Sequence, residues 1–264
     1  MKISFSTLGC PRWSWAEITA TACDLGYDGV EVRGVGKDIS VPSVPAFSDE
    51  KLADTMNDLQ RLKLSIPCLD SDCCIHLREN EAHTTREVRA YVDLAKKLHV
   101  PYVRVMAAAP VPQPTGSVDE GYVRERAVEL GQYAAENGVT LLIETHGVWS
   151  DSAKLARLLS TVALPSVGAL WDVHHPYRFM NEAPKTTFDN LKPWLKHTHI
   201  KDSAPQGEHS FRYTLPGFGD VPLDEIVSVL EGGGYEGFYS LEWVKRWDTT
   251  LEERGIVFAH FAQY

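Results

Sequence analysis

Leu141-Leu142-Ile143-Glu144-Thr145-His146 sets a carboxylate directly behind an apolar run, with an imidazole two residues further on. The same pattern returns at Ala169-Leu170-Trp171-Asp172, at His197-Thr198-His199-Ile200-Lys201-Asp202 and at Tyr239-Ser240-Leu241-Glu242-Trp243. A short β-branched or apolar run ending in a charged group is how a buried strand reads when its last residue reaches an open face. Working outward, such runs alternate with helix-like stretches from end to end. Eight strands are predicted: Lys2 to Leu8, Gly29 to Arg33, Leu64 to Leu69, Tyr102 to Ala107, Thr140 to Thr145, Val167 to Asp172, Lys196 to Ile200 and Phe238 to Trp243. Eight βα units in 264 residues fit a closed (β/α)8 barrel, a TIM barrel forming a single domain over residues 1–264, better than an open sheet.

Punctuation supports this register. Ser14 with Glu17 and Ser117 with Glu120 have capping-box spacing, and Gly26 and Gly138 sit where helices should stop. Gly26-Tyr27-Asp28-Gly29 before the second strand is echoed by Gly234-Tyr235-Glu236-Gly237 before the eighth, and both runs lead to a glutamate, Glu31 and Glu242. The echo reads as one αβ-turn solution used twice. Pro110 to Pro114 and Ser203 to Gly219 read as irregular βα loops.

Composition narrows the class. Hydrophobic residues make up 44% and charged residues 23%, as in an ordinary globular protein, and no apolar run approaches the roughly 18 residues of a membrane span. The start, Met1-Lys2-Ile3-Ser4-Phe5, lacks a signal-peptide pattern, and five cysteines without C-x-x-C spacing suggest reduced thiols, so a cytoplasmic protein is expected. A net charge of -10 argues against nucleic acid as a partner.

In a barrel, active-site groups come from the C-terminal ends of strands and the loops that follow. Glu144, Asp172, His199 and Glu242 occupy those positions, and converging buried acids are costly unless paired or bound to a cation. One divalent metal resolves the repulsion. Manganese leads, with magnesium, cobalt or zinc suited to the same oxygen and imidazole donors. Each acid could instead pair with a local Lys or Arg at the rim.

His146, two residues after Glu144 in an extended chain, shares its side and is competent as a general base, or simply bonds a neighbouring loop. Lys201 could bind an anionic substrate or form a salt bridge with Asp202 or Glu242. Arg104 could hold a carboxylate or phosphate, or balance the acids. His76 and Arg33 are weaker candidates. His197 reads as a packing or supporting group, and Trp171 and Trp243 as core. Trp13 and Trp149, on loops, could stack on a sugar or pack.

The set I-E-T-H, W-D-V-H-H, H-T-H-I-K-D and S-L-E-W, ending at His146, His175, Asp202 and Trp243, resembles the sugar phosphate isomerase/epimerase superfamily of xylose-isomerase-like barrels across essentially the whole chain. The run from Gly26 to Arg33 and the loop Pro216 to Pro222 are similar to that family's second unit and its loop after strand seven. The resemblance implies that Glu144, Asp172, His199 and Glu242 hold the metal and that His175 touches substrate. It also implies that Glu144 and Glu242 face each other across the substrate, one removing and the other returning a proton next to a carbonyl, through a metal-stabilised enediolate. Dimers or tetramers are compatible with it.

Two enzyme readings follow. The first is a metal-dependent isomerase or 3-epimerase acting on a sugar or sugar phosphate. The second is a lyase or dehydratase using His146 as base on a 3-keto sugar or dehydroshikimate-like acid. A catalytically idle sugar-binding barrel is the third. DNA-repair endonucleases of the same superfamily need a basic DNA-facing surface, which the acidic balance opposes.

Overall fold

The structure is a computed structural model that describes residues 1–207 and 210–264. Eight strands form one parallel sheet: β1 (Lys2–Ser6), β2 (Gly29–Glu31), β3 (Cys68–Cys74), β4 (Tyr102–Met106), β5 (Thr140–Glu144), β6 (Val167–Asp172), β7 (Leu195–Ile200) and β10 (Phe238–Leu241). Their order is β2-β1-β10-β7-β6-β5-β4-β3, and an isolated parallel bridge pairs Gly29 of β2 with Ser65, just ahead of β3. Helices alternate with these strands: α1 (Trp15–Asp24), α2 (Leu52–Leu62), α3 (Glu81–Leu98), α4 (Glu120–Glu136), α5 (Ser152–Val162), α6 (His174–Met180), α7 (Pro184–Leu191), α8 (Leu223–Gly232) and α9 (Arg254–Phe261). This is the (β/α)8 alternation expected of a TIM barrel. By contacts along the chain it divides into two compact units, Met1–Pro67 with Thr198–Tyr264, and Cys68–His197. Among the described residues, no helix is long and apolar enough to cross a membrane.

In the unit Cys68–His197, α3 packs on β3 and β4, α4 on β5, and α5 on β6 and α7. Inside it, Cys68, Leu142 and Leu170 form a buried apolar layer with Tyr102 against them. Trp149 and Trp171 are fully buried; each removes roughly 200 Å² from water, an upper contribution of about 5 kcal/mol at ~25 cal/mol/Å². In the other unit, Phe5 stacks on Phe258 of α9 at 4.0 Å and meets Tyr27 edge-on at 4.9 Å. Trp243 is buried as expected, its indole N–H donating to the Glu252 carbonyl at 3.0 Å.

Helix starts follow side-chain chemistry. Ser14 and Glu17 form the expected capping box on α1. At α4 the cap is Asp119, not Ser117: its carboxylate accepts the Tyr122 N–H at 3.0 Å, so the helix begins at Glu120. Gly26 and Gly138 both end their helices with left-handed backbone, at φ +78° and +72°.

Two further expectations are corrected. The third strand is not Leu64 to Leu69 but Cys68–Cys74. Pro67 has no N–H to give the ladder, so pairing starts after it and takes in the polar Asp70-Ser71-Asp72. The stretch from Ser203 is not wholly irregular: β8 (Asp202–Pro205) pairs antiparallel with β9 (Phe211–Thr214) as a separate hairpin.

Candidate functional site

Side chains along a strand repeat with period two, so the layer above Cys68, Tyr102, Leu142 and Leu170 is made by Asp70, Arg104, Glu144 and Asp172. An apolar floor therefore gives way, one step along each strand, to a polar layer. All four of its members are buried. Arg104 lies between two of the acids, its Nε 3.7 Å from Asp70 Oδ1 and its Nη1 3.4 Å from Glu144 Oε2.

The turn after β6 orients Asp172. Its Oδ1 accepts the backbone N–H groups of His174 at 2.9 Å and His175 at 3.3 Å, while Thr145 Oγ1 accepts its backbone N–H at 2.9 Å. His175 is buried, with Nδ1 2.8 Å from the Thr145 carbonyl. A carbonyl can only accept, so that nitrogen carries the hydrogen, and Nε2 lies 3.6 Å from Asp172 Oδ2. His146 is half-buried, its ring edge-on to that of His175 at 5.1 Å. Asp172, His174 and His175 are close enough together to be a possible cation-holding group.

In the other unit, His199 lies between two glutamates. Its Nε2 is 2.9 Å from Glu31 Oε1 and its Nδ1 3.6 Å from Glu242 Oε1. Glu242 falls one residue past the end of β10, but its backbone N–H still donates to the Ile200 carbonyl at 3.1 Å. Lys201 is buried, makes an ion pair with Glu242 Oε2, and lies over the Tyr213 ring of β9 at 5.7 Å. The salt-bridge expectation for Lys201 thus holds with Glu242 as its partner.

Asp202, next in the chain, turns to a different task. It accepts backbone N–H groups from Ser203, Gly217, Gly219 and Val221 at 2.7, 2.9, 2.8 and 3.2 Å. Burial pushes its carboxyl above the ordinary carboxylate range, against the pull of those four donors. Gly219 must be glycine: a Cβ there would lie 2.1 Å from Asp202 Oδ1 and 2.3 Å from the Ser203 carbonyl.

Trp13 is half-buried, edge-on to Phe258 at 5.8 Å and covered by the Arg254 guanidinium at 5.1 Å. Trp149 packs, its indole N–H donating to the Ala107 carbonyl at 2.8 Å. His197 is buried on β7. Burial holds the His76 imidazole below its ordinary pKa, and Arg33 lies over the Trp247 ring at 5.7 Å.

Two buried acids in these clusters, Glu31 and Asp70, were not among the residues singled out from sequence. Glu31 had a signal in the turn echo that leads to both it and Glu242. Asp70 carries the strand-end signal too, standing directly behind the run that ends at Leu69.

A family model described as xylose isomerase-like TIM barrel matches residues 20–257. The chain belongs to this family. Among curated relatives, fructoselysine 3-epimerase of Shigella flexneri is 26% identical over 253 residues, covering 92% of this chain and 90% of that protein. Two solved structures share the fold. The probable 3-DHS dehydratase AsbF of Bacillus anthracis has a TM-score of 0.82 at 18% identity, covering 100% of this chain and 98% of that one. A xylose isomerase-like TIM barrel protein from Mycobacterium smegmatis in complex with magnesium has a TM-score of 0.78 at 18% identity, with 100% and 94% covered.

Proposed function

We propose that this family member is a divalent-metal-dependent isomerase or 3-epimerase of a sugar or sugar phosphate, with Glu144, Asp172, His199 and Glu242 holding the cation. The observation that carries the proposal is strand order. β5, β6, β7 and β10 are consecutive in the sheet, and each carries one of these residues at its C-terminal end or immediately after it.

The donor chemistry fits a divalent ion. Three carboxylates and an imidazole are a set able to hold a metal, and all four are buried. Buried carboxylates gathered at strand ends are costly unless a cation or a base offsets them, and Glu144, Asp172 and Glu242 are three such groups. Manganese is the proposed ion, and magnesium, cobalt and zinc accept the same donors. When bound, it supplies Lewis acidity that polarises a carbonyl.

The chain's own groups supply the rest. Glu144 and Glu242 act as the paired acid and base, one taking a proton from the carbon next to the carbonyl and the other returning it. Arg104 and Lys201, each already beside one of these glutamates, hold that carboxylate in place and bind substrate oxygens. His175 presents Nε2 to a substrate hydroxyl, and Trp13 flanks the entrance. The substrate class is a small carbohydrate or related keto compound, the setting cytoplasmic, and the assembly one barrel domain per chain in a homo-oligomer, without nucleic acid or membrane partners. The fructoselysine 3-epimerase relative supports the epimerase reading.

A lyase is the second reading, favoured by the half-buried His146 ring against His175 and by the dehydratase among the structural neighbours. Incubation with candidate ketoses and 3-keto compounds in deuterated water separates the two: deuterium incorporation without loss of water supports isomerisation, and an enone supports elimination. Glu144→Ala and Asp172→Ala should each strip manganese and turnover together, and full metal occupancy in both would overturn the ligand assignment.

A further inference from the structure

Glu31 lies outside the proposed ligand set, yet its fully buried carboxylate is 2.9 Å from His199 Nε2. The two nitrogens of an imidazole point to different sides of the ring, and only one without hydrogen can donate a lone pair to a cation. His199 Nδ1 faces Glu242 Oε1 at 3.6 Å, the side of a proposed fellow ligand, while Nε2 faces Glu31. A carboxylate oxygen 2.9 Å from Nε2 favours a hydrogen on that nitrogen over one on Nδ1.

The support beneath Glu31 leaves little play. Glu31 is in register with Ser6 of β1, and two residues earlier a Cβ on Gly29 would come 2.7 Å from the Ser65 carbonyl. We infer that Glu31 is a positioning residue that fixes His199 as its Nε2–H tautomer and leaves Nδ1 as the atom that takes the divalent cation. This rests on the proposed metal-holding role of His199. A carboxylate behind a metal-bound histidine sets ring orientation and basicity, and its loss typically costs 10- to 100-fold in metal affinity.

Calorimetric titration of the metal-stripped protein with Mn²⁺ tests the inference. Glu31→Gln should bind Mn²⁺ about 10- to 100-fold more weakly than wild type. Long-range nitrogen–proton spectra of the wild-type protein loaded with Zn²⁺, which need no variant to fold, should place the His199 hydrogen on Nε2. Unchanged Mn²⁺ affinity in a folded Glu31→Gln, or a hydrogen on Nδ1, overturns the inference. His199→Ala separates this from the larger reading. If it binds Mn²⁺ like wild type, the metal-holding role itself fails; if it loses binding while Glu31→Gln retains it, only the role of Glu31 falls.

Discussion

The approaches to β2 and β10 are two copies of one local design with different ends. After α1, Gly26 takes φ +78° and Tyr27 N–H donates to the Ala22 carbonyl at 2.9 Å; after α8, Gly234 takes φ +79° and Tyr235 N–H donates to the Leu230 carbonyl at 2.9 Å. Both turns deliver a glutamate to the level of Ser6. Glu31 is in register with it, and Glu242 follows Leu241, which is in register with Phe5. The turn therefore sets where the carboxylate arrives, and its neighbour sets what it can do. Glu31 is wholly buried, with Nε2 of the rigid His199 ring 2.9 Å away. Glu242 is 6% exposed and paired with the ammonium of Lys201 on a flexible stem.

The sharpest break of this comparison is kinetic. Glu242→Gln should lower turnover about 10²- to 10⁴-fold, as loss of an acid–base group does, with no recovery at saturating Mn²⁺. Glu31→Gln, acting through His199, should recover most of its turnover when Mn²⁺ is raised. Equal responses of the two variants to added metal would erase the distinction.

A smaller effect comes from the second glycine of each turn. A Cβ on Gly29 meets the fixed Ser65 carbonyl, whereas one on Gly237 meets the Tyr235 ring of its own turn, at 2.3 Å from the hydroxyl. A side chain can swing aside and a backbone carbonyl cannot. Gly29→Ala should cost about 2–3 kcal/mol in urea unfolding and Gly237→Ala about 1 kcal/mol; a reversed order would show that Tyr235 is the more rigid neighbour.

The first glycine of each turn falls between these two. Gly26 and Gly234 have open space where a Cβ would go, so only the left-handed backbone is penalised. Alanine at either should cost about 1–2 kcal/mol, equal at the two sites. Unequal values would mean that the turns differ in the unfolded chain or in strain.

The echo also shows how much the residues disclosed. The alternation, the strand ends and the cap at Ser14 were legible because each depends on neighbours within a few positions. Glu144, Asp172, His199 and Glu242 could be picked out because a charged group behind an apolar run is locally odd. β3 was not legible, since its polar Asp70-Ser71-Asp72 is tolerated only with the bonds the fold supplies: Asp70 lies beside Arg104, and Ser71 Oγ donates to the Arg104 carbonyl at 2.7 Å. The partner of Glu31 was equally hidden, because His199 lies far along the chain. The β8–β9 hairpin was obscured by the glycines and prolines around it.

The grip of Asp202 on its loop has an evolutionary corollary. The carboxylate holds main-chain N–H groups alone, so the segment from Pro216 to Asp220 keeps its place whatever most of its side chains are, provided position 219 stays glycine and so does position 217, at φ +84° with the Tyr264 ring 2.6 Å from where a Cβ would go. Phe218, 70% exposed, can be exchanged at little structural cost. Descendants of this chain can thus vary the loop's outward chemistry while its path stays anchored.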